Sequence, residues 1–462
     1  MYKHLALALL LAACGDDSVH HLPDAPPPPD GSADAATSGP VTLTITLDSQ
    51  GVPAHDVYFQ AANGTLVAKV VTDAAGVASA VMEPGGFVTT VNPFGGKRLA
   101  EDVRTFAGVK PGDRLKLHDA TGITGISVTF TAPTDPTATS YEVYSSCGYM
   151  QNLSAGGSGA TPTGTIYLDG CGGTADFLIQ TLDSGGLPSK FVYKSGVNVA
   201  DQGVIDLSTE TYASPVPTVA LTWNNVPAAY TDVQFRSVLA STRGRIFDSL
   251  QSAQITAGTG TTTIPRPSVT NGLAITTTEP FPTNGVARLA VVDWAPAAST
   301  ITVDLANAFL GVYTATPVVS PATRTVTWTS GAGLAPDFAW ATVSAARMDP
   351  VTTNSTYWDW QIVMPYSSTT FTLPALATGI DQFNLIATDT ADVRELITAK
   401  VPGGYDAVRA EILSSTGPET FAAGATGRIV FETLENLAVG RTARTTRGPA
   451  PWAVRRTARL AR

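Results

Sequence analysis

From Val41 to Leu47 every second residue is apolar: Val41, Leu43, Ile45 and Leu47 alternate with Thr42, Thr44 and Thr46. Successive side chains of a strand point to opposite faces, so this pattern predicts a half-buried β-strand with an aliphatic face and a threonine face. The period of two returns at Val57-Tyr58-Phe59 and then in three groups of strands. Ile126–Phe130, Thr218–Trp223 and Arg324–Trp328 each end an alternating run in an aromatic ring. A second alternating strand follows each after a loop with Pro or Gly: Tyr141–Val143, Val233–Phe235 and Phe338–Trp340. Later in each group comes an apolar strand: Phe177–Ile179, Leu289–Val291 and Phe383–Leu385. The groups repeat on the order of every 100 residues, the size of one sandwich domain. Long amphipathic helical periods are scarce.

The pattern therefore predicts an all-β protein of tandem antiparallel β-sandwich domains, at 41–120, 121–210, 211–314 and 315–433. The length of 462 residues suits three or four domains rather than one. A charged fraction of only 14%, with abundant Gly, Thr, Ala, Val and Pro, suits short strands joined by tight turns.

The first sandwich carries three turn signatures in order: Gly51-Val52-Pro53, Thr72-Asp73-Ala74-Ala75-Gly76 and Glu83-Pro84-Gly85-Gly86-Phe87. This order resembles the carboxypeptidase regulatory-like family of small β-sandwiches over about Val41 to His118. The resemblance implies a structural or adhesive module without catalytic residues. Asp73 itself reads as a turn-former bonding its own backbone. The three later groups resemble the fibronectin type III and wider immunoglobulin-like superfamily, in which a strand aromatic packs between the sheets. The first of them, from about Gly122 to Leu207, matches best.

Ahead of the sandwiches the composition changes. Residues 14–40 hold Asp16, Asp17, Asp24, Asp30 and Asp34, the run Pro26 to Pro29 and almost nothing apolar to bury, which predicts a disordered, extended linker. Before that, Lys3 and His4, the apolar run Leu5–Ala12 and a small residue before Cys14 have the layout of a secretory signal, too short for the about 20 residues that span a bilayer. Leu11-Ala12-Ala13-Cys14 resembles a bacterial lipobox. The resemblance implies that residues 1–13 are removed and that Cys14 carries a diacylglyceryl thioether and an N-acyl chain such as palmitate. At about 0.8 kcal/mol per buried methylene, three chains would anchor the protein to a membrane where one would not. Gly15 rather than Asp follows Cys14, so the inner-membrane retention signal of enteric bacteria is absent and the expected address is the bacterial outer membrane.

Charge and reactive residues narrow the function classes. A net charge of −10 argues against a nucleic-acid partner, which needs clustered Lys and Arg on a folded face. With Cys14 assigned to lipid, Cys147 and Cys171 remain as an even pair, read as a disulfide stabilising by roughly 3 kcal/mol in an oxidising compartment. Catalysis has little support. The 5 histidines are His4, His20, His21, His55 and His118, and neither Gly-x-Ser-x-Gly, His-Glu-x-x-His nor a phosphate-cradling loop occurs. No catalytic residue and no cofactor is therefore assigned, although a carboxylate pair assembled by the fold lies beyond sequence reading.

No metal site is expected either. The pair His20-His21 lacks a third ligand, and Asp381, Asp389 and Asp392 lack the Asp-x-Asp-x-Asp-Gly pattern of a calcium loop. Tyr357-Trp358-Asp359-Trp360-Gln361-Ile362 admits two readings. Tyr357, Trp358 and Trp360 are a candidate aromatic platform for sugar rings, yet alternation puts Trp358, Trp360 and Ile362 on one face, as in a core strand. The terminal segment 434–462 carries Arg441, Arg444, Arg447, Arg455, Arg456, Arg459 and Arg462, with no acid from Gly440 onward; it reads as a disordered tail, an out-of-frame extension or a basic arm for an anionic surface. The expected function is that of a non-catalytic, membrane-anchored envelope lipoprotein serving adhesion, scaffolding or envelope organisation. The alternative is a surface lipoprotein that binds a carbohydrate or other ligand, such as a protein.

Overall fold

The computed structural model describes residues 37–47, 50–94, 100–119, 125–147, 150–154, 159–168, 173–228, 230–269, 272–282, 288–306, 308–311, 313–352, 354–410, 412 and 427–435. The proposed signal, Cys14, nearly all of the linker, Cys171 and the arginine-rich segment lie outside the described residues.

The chain is all-β, built of antiparallel sandwiches. The first contains β1 (Gly39–Leu47), β2 (Gln50–Gly51), β3 (Asp56–Gln60), β4 (Leu66–Val71), β5 (Val77–Met82), β6 (Gly86–Val91), β7 (Glu101–Val109) and β8 (Arg114–Asp119). One sheet runs β2-β1-β5 with β8 parallel to β1, and the facing strands run β4-β3-β6-β7. Val41, Leu43 and Ile45 are fully buried between the layers, as the period of two requires. Asp73 Oδ1 accepts the backbone N–H groups of Ala75 and Val77, each at 2.9 Å, and so closes the turn into β5. Gly76 completes that turn at φ +75°, where a Cβ would lie 2.1 Å from the Ile45 carbonyl oxygen.

The second sandwich pairs β9 (Ile126–Thr131), β10 (Ser140–Ser145), β11 (Gln151–Ser154), β12 (Thr163–Leu168), β13 (Thr174–Leu182), β14 (Pro188–Asn198) and β15 (Val204–Asp206) as sheets β11-β10-β13-β14 and β12-β9-β15. Phe130 and Phe177 meet across its core with ring centroids 5.3 Å apart. The third comprises β16 (Thr218–Asn224), β17 (Tyr230–Ser241), β18 (Gly244–Gln254), β19 (Gly260–Pro265), β20 (Leu273–Pro282), β21 (Arg288–Pro296) and β22 (Thr300–Asp304). Its Trp223 packs on Phe235 at 5.0 Å and donates its indole N–H to Thr278 Oγ1, which satisfies the one polar atom of a buried ring.

The fourth holds β23 (Tyr313–Ser320), β24 (Thr325–Ser330), β25 (Phe338–Met348), β26 (Ser355–Pro365), β27 (Thr370–Thr372) and β28 (Thr390–Lys400), followed by a short helix α1 (Gly404–Val408) and β29 (Gly427–Glu435). Here one expected strand is corrected. Phe383 and Leu385 are buried core residues, but Phe383 ends a 3₁₀ helix, Asp381–Phe383, and the strand comes later as β28. Local polar bonds explain the difference. Asp381 Oδ1 accepts from the Gly379 N–H, and the Asn384 carboxamide bonds both backbone groups of Leu376, folding the segment into a loop that pushes its apolar side chains inward.

The larger sheets of the first, third and fourth sandwiches are one sheet of 12 strands, ordered β18-β17-β20-β21-β29-β28-β25-β26-β7-β6-β3-β4. Two joints make it continuous. β29 lies antiparallel between β21 and β28, from Arg288↔Thr433 to Trp294↔Gly427 on one side and from Glu395↔Glu435 to Lys400↔Val430 on the other. β26 runs parallel to β7 from Trp358↔Glu101 to Val363↔Phe106. The order along the sheet, third–fourth–first, thus departs from the order along the chain. Alternate residues serve two cores. Phe106, Trp340, Ile397, Phe431 and Trp294 face the side covered by β1 and β8, whereas Ala341, Trp360 and Leu396 face β24. On that second side the third sandwich has its own core, to which β29 contributes Val430.

Candidate ligand site at the joint of β7 and β26

The sequence-predicted aromatic cluster lies on β26, at the joint between the first and fourth sandwiches. Strand alternation separates its members. Trp360 is 0% exposed and donates its indole N–H to Thr105 Oγ1 on β7 at 2.9 Å, so it serves the joint itself. Trp358 is 1% exposed; Phe383 meets its ring edge-on at 6.1 Å, and the Arg347 guanidinium lies over it at 5.4 Å. A stacking platform needs free ring faces, so both tryptophans are corrected from sugar-binding candidates to core residues. Tyr357, 52% exposed, is the member left at the surface.

Tyr357 borders a cavity of about 390 Å³ lined also by Ala100, Ser344, Ala345, Trp358 and Asp359. Its polar wall is ordered. Asp359 Oδ1 accepts from Ser344 Oγ at 2.5 Å, and Oδ2 accepts from Arg394 at 3.1 Å. An exposed aromatic ring beside a carboxylate, a hydroxyl and a guanidinium can stack on an apolar sugar face while exchanging hydrogen bonds with its hydroxyls. The hairpin tip next to it is also shaped in advance: Asp349 accepts the N–H of Val351 at 2.7 Å and the Thr352 hydroxyl at 2.8 Å, which holds the Asp349 carboxyl below its ordinary value.

Arg347 organises the layer below. Its Nε and Nη2 reach the two oxygens of Asp389, both at 2.7 Å, and its Nη groups also donate to the carbonyls of Gln382 and Asn384. This planar fork is why arginine fits the position, and the bond to Asp389 raises its pKa further. Asp389, with its side chain 0% exposed, is thereby a clamp partner, and Asp381 is occupied by its own turn. Among the described residues, no three His, Cys, Asp or Glu side chains gather as a metal site.

The two described histidines are far from any such arrangement in role. His55 Nε2 bonds Thr90 Oγ1 at 2.6 Å and His118 Nδ1 bonds Thr46 Oγ1 at 2.8 Å, and burial lowers the pKa of His55. Cys147 is buried in the second sandwich's core, and its expected partner Cys171 lies outside the described residues. Sequence reasoning missed Ser344, Arg347 and the buried Glu432 of β29. Only Glu432 left a signal, an acid at an alternating position of the apolar run Ile429-Val430-Phe431.

The fold defines a class, an all-β protein of antiparallel sandwiches, and the comparisons go no further. No protein-family model and no curated protein matches the chain. Among solved structures it is similar to the Bacillus anthracis TIE protein, at 9% identity over 58% of this chain and 50% of that one, with a TM-score of 0.15. The match thus spans about half the length of that protein. The tip fimbrial protein Mfa3 from Porphyromonas gingivalis matches at 11% identity over 37% and 81% of the two chains, with a TM-score of 0.16. Chicken CNTN1 FN1–FN3 domains match at 8% identity over 58% and 92%, with a TM-score of 0.14. At TM-scores this low, these likenesses carry no argument about ancestry or activity.

Proposed function

We propose that this protein is a non-catalytic envelope lipoprotein, anchored through Cys14 to the bacterial outer membrane and serving adhesion or scaffolding. The observation that carries the reading is the sheet of 12 strands, which joins three sandwiches by backbone hydrogen bonds instead of flexible linkers. Such a body resists bending and holds its surfaces in fixed relation, which suits mechanical presentation more than a reaction cycle. The non-catalytic reading is supported by the two described histidines, His55 and His118, each bonded to a threonine within the first sandwich. A Cys147–Cys171 disulfide belongs to the same proposal; its support is that Cys147 is engaged rather than free.

Fractionation of cells expressing the full chain tests the anchor. Wild type should partition with outer membranes and accumulate as an unprocessed form under globomycin, whereas Cys14→Ala should appear in the soluble fraction. A wild-type protein that stays soluble and insensitive to globomycin would refute lipid anchoring. Surface proteolysis of intact cells then distinguishes the outward from the periplasmic side.

A second reading is favoured by one observation, the exposed Tyr357 ring beside Asp359 and Ser344 at the cavity. It makes the β7–β26 joint a carbohydrate site. Saturation-transfer NMR with glucose, galactose, mannose and N-acetylglucosamine should show contact with at least one, lost in Tyr357→Ala and weakened in Asp359→Asn. Equal signals from wild type and Tyr357→Ala would remove the site.

A further inference from the structure

The strand that joins the third and fourth sandwiches carries an ionisable group where alternation calls for an apolar one. On β29, Ile429 and Phe431 face one core, and Val430 and Glu432 face the other. Glu432 is 1% exposed. Its Oε1 accepts the backbone N–H of Tyr313 at 2.8 Å, and its buried Oε2 has no hydrogen-bond partner.

The surroundings offer it no counter-charge among the described residues. From β23 comes Tyr313, whose hydroxyl donates to Thr398 Oγ1 on β28 at 2.9 Å, and Tyr366 lies beyond it. Tyr230 on β17 also feels the carboxylate, and opposite on β21 stands Leu289. The described cations on the same side of the adjoining positions are committed elsewhere. Arg428 of β29 holds Asp293 and the Asp304 carbonyl, and Lys400 of β28 holds Asp337. A carboxylate in this slot would have lost its water for one donor, so the neutral acid is the form that fits.

We propose that β29 is a proton-closed latch: the acid form of Glu432 seats the strand between β21 and β28, so the two sandwiches are joined most firmly in acid and loosen toward alkaline pH. Release would bare the edges of both neighbouring strands at once. Burial raises the pKa of Glu432 to about 8 in the slot, against 4.5 for the free side chain. Between those values the seated strand holds a proton that the released strand has lost. The seating equilibrium therefore falls by up to about tenfold per pH unit in that window, is fully favourable below it and changes no further above it.

Hydrogen exchange of the full chain, read by mass spectrometry at about pH 5, 6.5 and 8 and corrected for intrinsic rates, tests the latch. Protection of 427–435 should fall on the order of 100-fold from the first to the last condition, with β21 and β28 following and β9 of the second sandwich unchanged. Glu432→Gln, which keeps shape and cannot ionise, should hold β29 protected at every pH. A wild-type β29 with no pH dependence beyond that of β9 overturns the proposal even if the variant fails to fold. So does a folded Glu432→Gln that retains the wild-type dependence.

Discussion

Arg347 answers several needs at once: it neutralises a buried Asp389, caps two carbonyls and covers the outer face of Trp358. Removing it strands a carboxylate that has no water, so Arg347→Ala should cost about 3 kcal/mol in a urea titration. Arg347→Lys should recover little of that loss, because a point charge cannot bridge both oxygens and two carbonyls. The opposite sign is expected at Glu432. Its raised pKa means the folded state holds a proton the unfolded state lacks, so its contribution is full below about pH 4.5 and is lost as pH rises toward about 8. Glu432→Gln should accordingly stabilise by roughly 3 kcal/mol at neutral pH and by little near pH 4, measured as denaturation midpoints in the two buffers. None of this was legible at Arg347, because its partners are 35 to 42 residues away and nothing local marks them.

At the scale of elements, period-two alternation was legible because it depends only on which face is wet. It placed β1, β9, β16 and β24, and it assigned Trp358, Trp360 and Ile362 to one buried face. It failed at Phe383–Leu385, where apolar residues fill the core from a loop, and it gave no pairing for β29. The partners of β29 lie as far as 145 residues back in the chain, at Arg288↔Thr433, so its place in the sheet is a tertiary fact. The slot is also tight. A Cβ on Gly427 would fall 2.0 Å from Cζ2 of Trp294, a rigid and buried ring. Gly427→Ala should therefore cost about 2 kcal/mol and shift the fluorescence of Trp294.

For the whole molecule, the shared sheet predicts shared fate. The first, third and fourth sandwiches have backbone bonds and core residues in common, so they should unfold together. The second has its own core and meets the third through Tyr144 against Phe247 at 5.6 Å and Arg243 against the buried Asp176 at 2.9 Å. Calorimetry should therefore show two transitions, the larger belonging to three sandwiches; four independent transitions would contradict a sheet that couples them. The sequence pattern placed strands but not this coupling, since sheet edges far apart in the chain carry no mutual sequence mark.

The third–fourth–first order also has a consequence for biosynthesis. β7 leaves the ribosome about 250 residues ahead of β26, the strand it must lie beside, so the nascent first sandwich waits with a bare parallel edge until the fourth is made. β29 comes later still, and any chain cut short before it carries two more such edges. Incomplete copies thus advertise themselves, through sticky strand borders, to the chaperones and proteases that police folding.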